Sequence, residues 1–494
     1  MKPGVFLNGV AASLAISLAA PALAQGVLTV SHQSATSTLD PARAGNEAEY
    51  AYLQAVYNSL TFINWEMQPE PELAESWETS EDGLSVTFKL KPGITFHDGS
   101  DLDAADVVYT IKRIQDPETG SRVRSQLEVI TDVVAVDPLT VRFDLAFPYG
   151  DLPTVLGDYT LRILPEGYTD FTKPVGTGPF TMSEFIPGDR MILEKNPDYW
   201  EEGLPKVDEL VFRNLPEMTT NVSALESGTV QLIGLDPESV DIVKSSSSAH
   251  VETVPTGTWM AYVFNNQIPP FDDIKVRQAF DALIDREEVL AISAFGAGVP
   301  TLTTIPPSSA YYLGDYEVPA PDIEKAKALM AEAGYADGLD LTLNYPSASS
   351  EQERMALVLR DKAKAIGVNI ELAGHPNDKF YGEIEGTQPL ATTLFYGRPT
   401  PDTQTYLWYV SEGSYNVWDY ANPKTDEILN AARLAKTDEE RKGLYQDLQR
   451  QILADVPGIV LYVRAINYGV SNKVEGFVPH PRSWVIYKQI SVAD

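Results

Sequence analysis

The sequence predicts a mixed α/β protein built as several lobes, and three observations carry that reading. The chain has 494 residues, enough for about three domains at ~150 residues each. Its composition, 44% hydrophobic and 22% charged, is globular rather than disordered or fibrous. Segments of strand periodicity alternate with segments of helical periodicity along its length.

Val27 to Ser31 reads as a short apolar strand after Gly26. From Glu47 to Leu60, apolar residues at Ala51, Ala55, Val56 and Leu60 fit an amphipathic helix. Leu84, Val86, Phe88 and Leu90 alternate with polar residues as in a half-buried strand, and Lys91-Pro92-Gly93 turns the chain. Asp103 is placed to cap a helix reaching Arg113, with Asp106 in the first turn where the dipole favours an anion. Val133–Val136 and Val141–Leu145 flank Asp137-Pro138 as a hairpin.

Beyond about residue 270 the helices lengthen. One begins near Asp273 and buries Val276, Phe280, Leu283 and Ile284. A second, with Leu329 and Met330, is closed by Gly334. A third, with Met355, Leu359 and Ile366, is closed by Gly367, and a strand follows from Val368 to Leu372. Thr437 with Glu440 opens a fourth helix, whose stripe is Leu444, Leu448 and Ile452. Pro457 ends it, and Gly458 to Arg464 is strand-like.

The formal net charge is −33, which repels phosphate backbones and argues against nucleic-acid binding and for a soluble monomer. Without cysteine, thiolate nucleophiles, iron–sulfur clusters and disulfides are excluded. The five histidines, His32, His97, His250, His375 and His480, form no local metal motif, so neither a metal nor a cofactor is expected. There is no G-x-S-x-G, S-x-x-K, H-E-x-x-H or Walker A loop, and Gly176-Thr177-Gly178 and Gly296-Ala297-Gly298 lack the third glycine of a dinucleotide fingerprint. Residues 1–24 read as a secretory signal: Lys2, an apolar run from Val10 to Ala20, Pro21, and small residues at Ala22 and Ala24. The expected location is the periplasm.

Three stretches together resemble the family 5 extracellular solute-binding proteins, the dipeptide- and oligopeptide-type binding components of ABC importers. The first is Leu90-Lys91-Pro92-Gly93-Ile94-Thr95-Phe96-His97-Asp98-Gly99-Ser100, running into Ala105-Asp106-Val107-Val108-Tyr109. The second is Val175-Gly176-Thr177-Gly178-Pro179-Phe180 with Asn196-Pro197-Asp198-Tyr199-Trp200. The third is Phe264-Asn265-Asn266 through Val276-Arg277-Gln278-Ala279-Phe280 to Ile284-Asp285-Arg286. These motifs read as scaffold: His97 as a satisfied structural histidine, and Arg277 as fixed by an ion pair with Asp272 or Asp273.

The resemblance implies a periplasmic-binding-protein type II clamshell: two mixed α/β lobes closing over a solute, with an additional small inserted domain. Carried onto this chain, lobe I is 26–66, 172–267 and 478–494, the inserted domain is 67–171, and lobe II is 268–477. Hinges are then expected at Asn266–Pro270 and Gly476–Pro479. The implied function is capture of a peptide or peptide-like solute and delivery to the permease subunits of an ABC importer, with no bond made or broken. An opine-like carboxylated conjugate or an oligosaccharide is the runner-up solute, and nickel fits poorly with so few histidines. Outside this class, a secreted hydrolase using a carboxylate pair and a chaperone for unfolded chains remain alternatives.

Eight of the 26 residues from Phe395 to Tyr420 are aromatic, about three times the chain's 10% average. Tyr and Trp offer a flat apolar face with a polar tip, so Tyr396, Tyr415, Asn416 and Trp418 are candidate ligand residues. The alternative, that these rings pack a lobe internally, is open, and Trp408 leans to the core. In peptide-binding relatives the corresponding strand-end stretch often carries an Asp that captures an α-amino group. Here Arg398 stands there, with Asp402 nearby; a guanidinium suits a carboxylate or phosphate. An internal Arg398–Asp402 pair is the competing reading. His32, Gln33, Ser34 and Ala35, at the carboxyl end of the first strand, are expected to form the facing wall; Trp259, close to the expected hinge, is a candidate to stack on the solute, with a core role the competing reading.

Overall fold

The computed structural model describes residues 26–493 apart from 315, 414 and 436; the expected signal segment lies outside the described residues. A single eleven-stranded sheet runs through the molecule. From one edge its strands are Val368–His375, Leu339–Pro346, Leu390–Phe395, Ala249–Phe264, Gly458–Ser471, Leu232–Leu235, Val27–His32, Glu209–Asn214, Arg190–Lys195 and Phe180–Ile186. Gly298–Pro300 joins off this path, on Gly458–Ser471.

Two lobes share this sheet because its two central strands pass through both. Ala249–Phe264 has 16 residues and Gly458–Ser471 has 14, so each spans roughly 45–55 Å at ~3.3 Å per residue. Ala249–Pro255 pairs with Ala465–Ser471 in the first lobe, Trp259–Val263 pairs with Gly458–Val463 in the second, and the register breaks between Pro255 and Trp259. The lobes therefore join at Thr256–Thr258 and Arg464–Ala465. The expected hinges at Asn266–Pro270 and Gly476–Pro479 lie outside this break. Met260, Tyr262 and Phe264 pack in the second lobe's core, while Tyr468, Val470 and Val474 pack in the first. A continuous apolar strand gives no sequence signal where it leaves one core for another.

In the first lobe, Val27–His32 runs parallel to Glu209–Asn214 and Leu232–Leu235. The helix Glu47–Val56 is capped by the Asn46 side chain, which accepts from the Glu49 N–H. It stops before the expected Leu60 because Tyr57 is extended and the Gly178 N–H takes the Val56 carbonyl at 3.0 Å. Gly176 and Gly178 both lie against that carbonyl, where any Cβ would collide. Their glycines serve close packing.

The small domain is an antiparallel sheet ordered Ala74–Thr79, Ser85–Leu90, Thr140–Leu145, Ile130–Asp137, covered by the helix Ala104–Gln115. Val86, Phe88 and Leu90 are buried as their alternation requires, each contributing ~1.5–3 kcal/mol of transfer free energy. Asp103 and Asp106 close a reciprocal capping box at the helix start. His97 ties this domain to the first lobe. Its Nε2 lies 2.9 Å from the Gly178 carbonyl and its Nδ1 accepts from the Gly176 N–H, a structural role.

The second lobe packs Ile274–Leu283, Arg286–Ser293, Ile323–Glu332 and Ser350–Ala363 against one sheet face, and Pro401–Tyr409, Pro423–Leu434 and Asp438–Asp455 against the other. Gly334 and Gly367 follow their helices with φ of +88° and +76°, where glycine is favoured. Arg277 makes no ion pair with Asp272 or Asp273, contrary to expectation. It donates instead to the main-chain carbonyls of Phe271, Asp455 and Val456, locking the lobe's first helix to the end of its last.

Candidate functional site

A cavity of about 940 Å³ lies where the lobes and the small domain meet. Glu47, Tyr50 and Trp484 come from the first lobe, Arg122 from the small domain, and Tyr396 and Arg398 from the second lobe.

The second-lobe wall is set by main-chain packing. Leu390–Phe395 ends beside the strand break at Gly257, and Gly397 lies against Gly257 so closely that a Cβ on Gly397 would stand 2.7 Å from the Gly257 Cα. Gln404, buried, clamps both: its Nε2 donates to the Gly257 carbonyl at 3.1 Å and its Oε1 accepts from the Arg398 N–H at 3.1 Å. The Gly397 N–H is directed to the Thr258 hydroxyl at 3.3 Å. Arg398 is thus presented from a fixed backbone at the point where the lobes join.

Opposite charges are segregated on the cavity walls. The first lobe supplies Glu47 and Asp236. Glu47 approaches His32 Nδ1 at 3.4 Å, yet its side chain is 57% exposed. Asp236 accepts from the Ser239 N–H. The small domain and the second lobe supply Arg122 and Arg398. Arg482 also lines the cavity, but it is neutralised by buried Asp158 at 2.8 Å. Its Nη1 donates to the Gly397 carbonyl at 3.1 Å, and its guanidinium lies 5.2 Å from the Tyr159 ring. Tyr50 and Tyr159 are in contact, 3.9 Å between centroids, and Trp484 stacks on His480.

Of the residues expected from sequence, His32, Gln33, Tyr396 and Arg398 line this cavity. Tyr396 is 74% exposed there. The Nε of Arg398 is buried without a partner, and among the described residues no carboxylate pairs with its guanidinium. The competing Arg398–Asp402 pair does not form, because Asp402 is buried and gripped bidentately by Arg433 at 2.7 and 2.9 Å. Asp402 is therefore a helix-packing residue and is placed away from the cavity wall.

Trp259 and Trp418 are also placed elsewhere. Both are fully buried and stacked on each other at 5.9 Å, with Trp408 edge-on to Trp259. The aromatic density of this stretch builds the core of the second lobe. Tyr415 stacks on Trp408 at its rim, and Asn416 spends its amide on the Tyr420 main chain, donating to the carbonyl and accepting from the N–H. Ser34 faces a separate small crevice beside the hairpin Phe180–Lys195.

Sequence reasoning missed Arg122, Gln54, Gln126, Asp158, Asp236, Arg482 and Trp484. No local motif marks them, since only the tertiary fold brings residues 47, 122, 236 and 482 to one surface. The single available signal was charge type in loops next to glycine or proline, which this chain offers at many positions. Among the described residues no group of three or more His, Asp or Glu could hold a metal ion, and no helix is long and apolar enough to cross a membrane.

Comparison with known proteins agrees with this architecture. Residues 68–416 match the family described as bacterial extracellular solute-binding proteins, family 5 Middle. A glutathione-binding protein, GsiB, of Salmonella paratyphi A is 28% identical over 486 residues, covering 94% of this chain and 95% of the relative. The ABC transporter substrate binding protein CtaP of Listeria monocytogenes superposes with a TM-score of 0.84 at 26% identity, covering 95% of this chain and 99% of that one. The binding protein AgaA of A. tumefaciens R10, in complex with agropinic acid, superposes with a TM-score of 0.73 at 26% identity, covering 95% and 99%.

Proposed function

Since the chain belongs to the family 5 bacterial extracellular solute-binding proteins of ABC importers, we propose that it captures a peptide-sized solute bearing a free carboxylate and hands it to a membrane permease from the periplasm. The observation that carries this reading is the unpaired guanidinium of Arg398 in a cavity whose first-lobe wall holds Glu47 and Asp236. A zwitterionic peptide matches that division of charge, its carboxylate on Arg398 and its ammonium toward the acidic wall. Tyr396, Tyr50 and Trp484 supply flat apolar surface for the intervening chain.

The mechanism needs no bond chemistry. Solute contacting both walls stabilises the closed arrangement over the open one by its differential affinity, and the closed form is what the permease receives. The cavity of about 940 Å³ is of the size that holds a compact ligand. Glutathione, which the Salmonella relative is named for binding, and short peptides are the first probes. Native mass spectrometry of protein purified from a periplasmic extract is expected to show a carboxylated small molecule retained, and calorimetry to show one of these probes binding intact. Turnover of a probe, or preference for denatured protein over every small solute, would overturn the reading.

A further inference from the structure

We propose that the solute carries a second carboxylate, held by Arg122 of the small domain, so that the preferred ligand is a dicarboxylate. This rests on the reading of Arg398 above and goes beyond it by naming the ligand's charge and the residue that selects for it.

Arg122 lies in the same cavity as Arg398, on a different structural module. Its guanidinium has a built seat. The Nε donates to the Arg43 carbonyl at 3.2 Å, and the group lies flat over Gly45, where a Cβ would come within 2.6 Å of Cζ. On this side of the site Asp40 is committed to Arg113, Asp158 to Arg482, and Glu49 to the N–H groups of Ser37, Thr38 and Gly45, while Glu47 approaches His32. Among the described residues no carboxylate pairs with Arg122. A strongly acidic protein that keeps two guanidinium groups unneutralised in one cavity is arranged for an anionic guest at each.

Two further groups on this side support the assignment. Gln54 Nε2 and Gln126 Oε1 line the cavity with Arg122 and are buried without partners. Unpaired buried amides cost free energy unless a guest satisfies them. Together with Arg122 they offer a charged clamp flanked by neutral hydrogen-bonding groups, the complement of a carboxylate attached to an amide-bearing chain.

The test uses the full mature chain and two matched pairs in calorimetry. Alanyl-glutamate and glutathione each carry two carboxylates; alanyl-glutamine and glutathione monoethyl ester each carry one. At least one dicarboxylate is expected to bind the unaltered protein about tenfold or more tightly than its single-carboxylate match. Arg122→Gln is expected to abolish that preference, whereas Arg398→Gln weakens both members of the pair. Equal binding within both pairs by the unaltered protein, or a preference that survives Arg122→Gln, overturns the second-carboxylate assignment and leaves the reading of Arg398 intact. Failure of all four probes to bind overturns both. Circular dichroism melts of each variant separate loss of binding from loss of fold.

Discussion

Arg482, from the C-terminal segment of the first lobe, donates to the carbonyl of Gly397 in the second lobe at 3.1 Å while its other terminal nitrogen holds Asp158 at 2.8 Å. One side chain thus touches both lobes and the small-domain region, one residue away from the candidate ligand cation Arg398. Asp158 and Arg482 are 4% and 8% exposed, so removing one partner strands a charge away from water.

Arg482→Met is therefore expected to lower the unfolding free energy by about 3–5 kcal/mol, read from urea denaturation. Arg482→Met combined with Asp158→Asn should recover part of that loss, because the stranded carboxylate is gone. Small-angle scattering of Arg482→Met without solute should show a larger mean radius than the unaltered protein. An unchanged radius would show that the Gly397 contact does not hold the lobes together.

Arg398→Ala is expected to weaken binding of a carboxylated peptide by ~1.5–3 kcal/mol, the range for a hydrogen bond to a charged group. Stability should change little, since this guanidinium anchors no carboxylate of its own protein among the described residues. Calorimetry with undiminished affinity would remove Arg398 from the site.

Glu385 gives a pH signature. Burial pushes its carboxyl up to about 7, against a smaller opposing effect of the Thr393 hydroxyl that donates to it. The unfolded chain releases this proton near 4.5. Between those values the folded state holds more protons, so Glu385 erodes stability as pH rises from about 4.5 to 7 and by a constant amount above. Glu385→Gln, which keeps an acceptor for Thr393, should stabilise the protein by about 3 kcal/mol at pH 8 and not at all near pH 4. Equal effects at both values would show that the carboxyl is not shielded.

His480 has the opposite sign. It is fully buried, with Nε2 facing the Ile63 carbonyl at 3.0 Å and Nδ1 accepting from the Arg482 N–H, and burial pushes it down to about 4. Its contribution is fully present above the unfolded value of 6.5 and is lost as pH falls toward 4. Nuclear magnetic resonance of the imidazole should show no protonation above pH 5. Titration near 6.5 would mean that the ring reaches solvent.

The local grammar of the chain was legible. Asp103 with Asp106, the alternation of Val86, Phe88 and Leu90, and the glycines at 334 and 367 each specify their element through contacts within a few residues. The cavity was legible only at the strand ends, at His32 and at Tyr396 to Arg398, where the direction of the chain itself marks a sheet edge. Arg122 and Arg482 depend on partners 79 and 85 positions away, Arg43 and Gly397, and nothing near them in sequence encodes that. The aromatic stretch left a wall and a core reading open because Trp and Tyr serve both equally well. Burial decides between them, and Trp259, Trp408 and Trp418 are buried. Asp402 misled for a related reason: its partner Arg433 is on another helix.

The two strands that run unbroken through both lobes bear on how such proteins can be recombined. A chimera that takes one half of the clamshell from a relative must sever both Ala249–Phe264 and Gly458–Ser471 in mid-ladder, where each cut exposes a row of amide partners whose spacing the donor must reproduce. The halves are one woven fabric rather than two cassettes. New specificity is more readily introduced by exchanging side chains on the walls than by grafting an entire jaw.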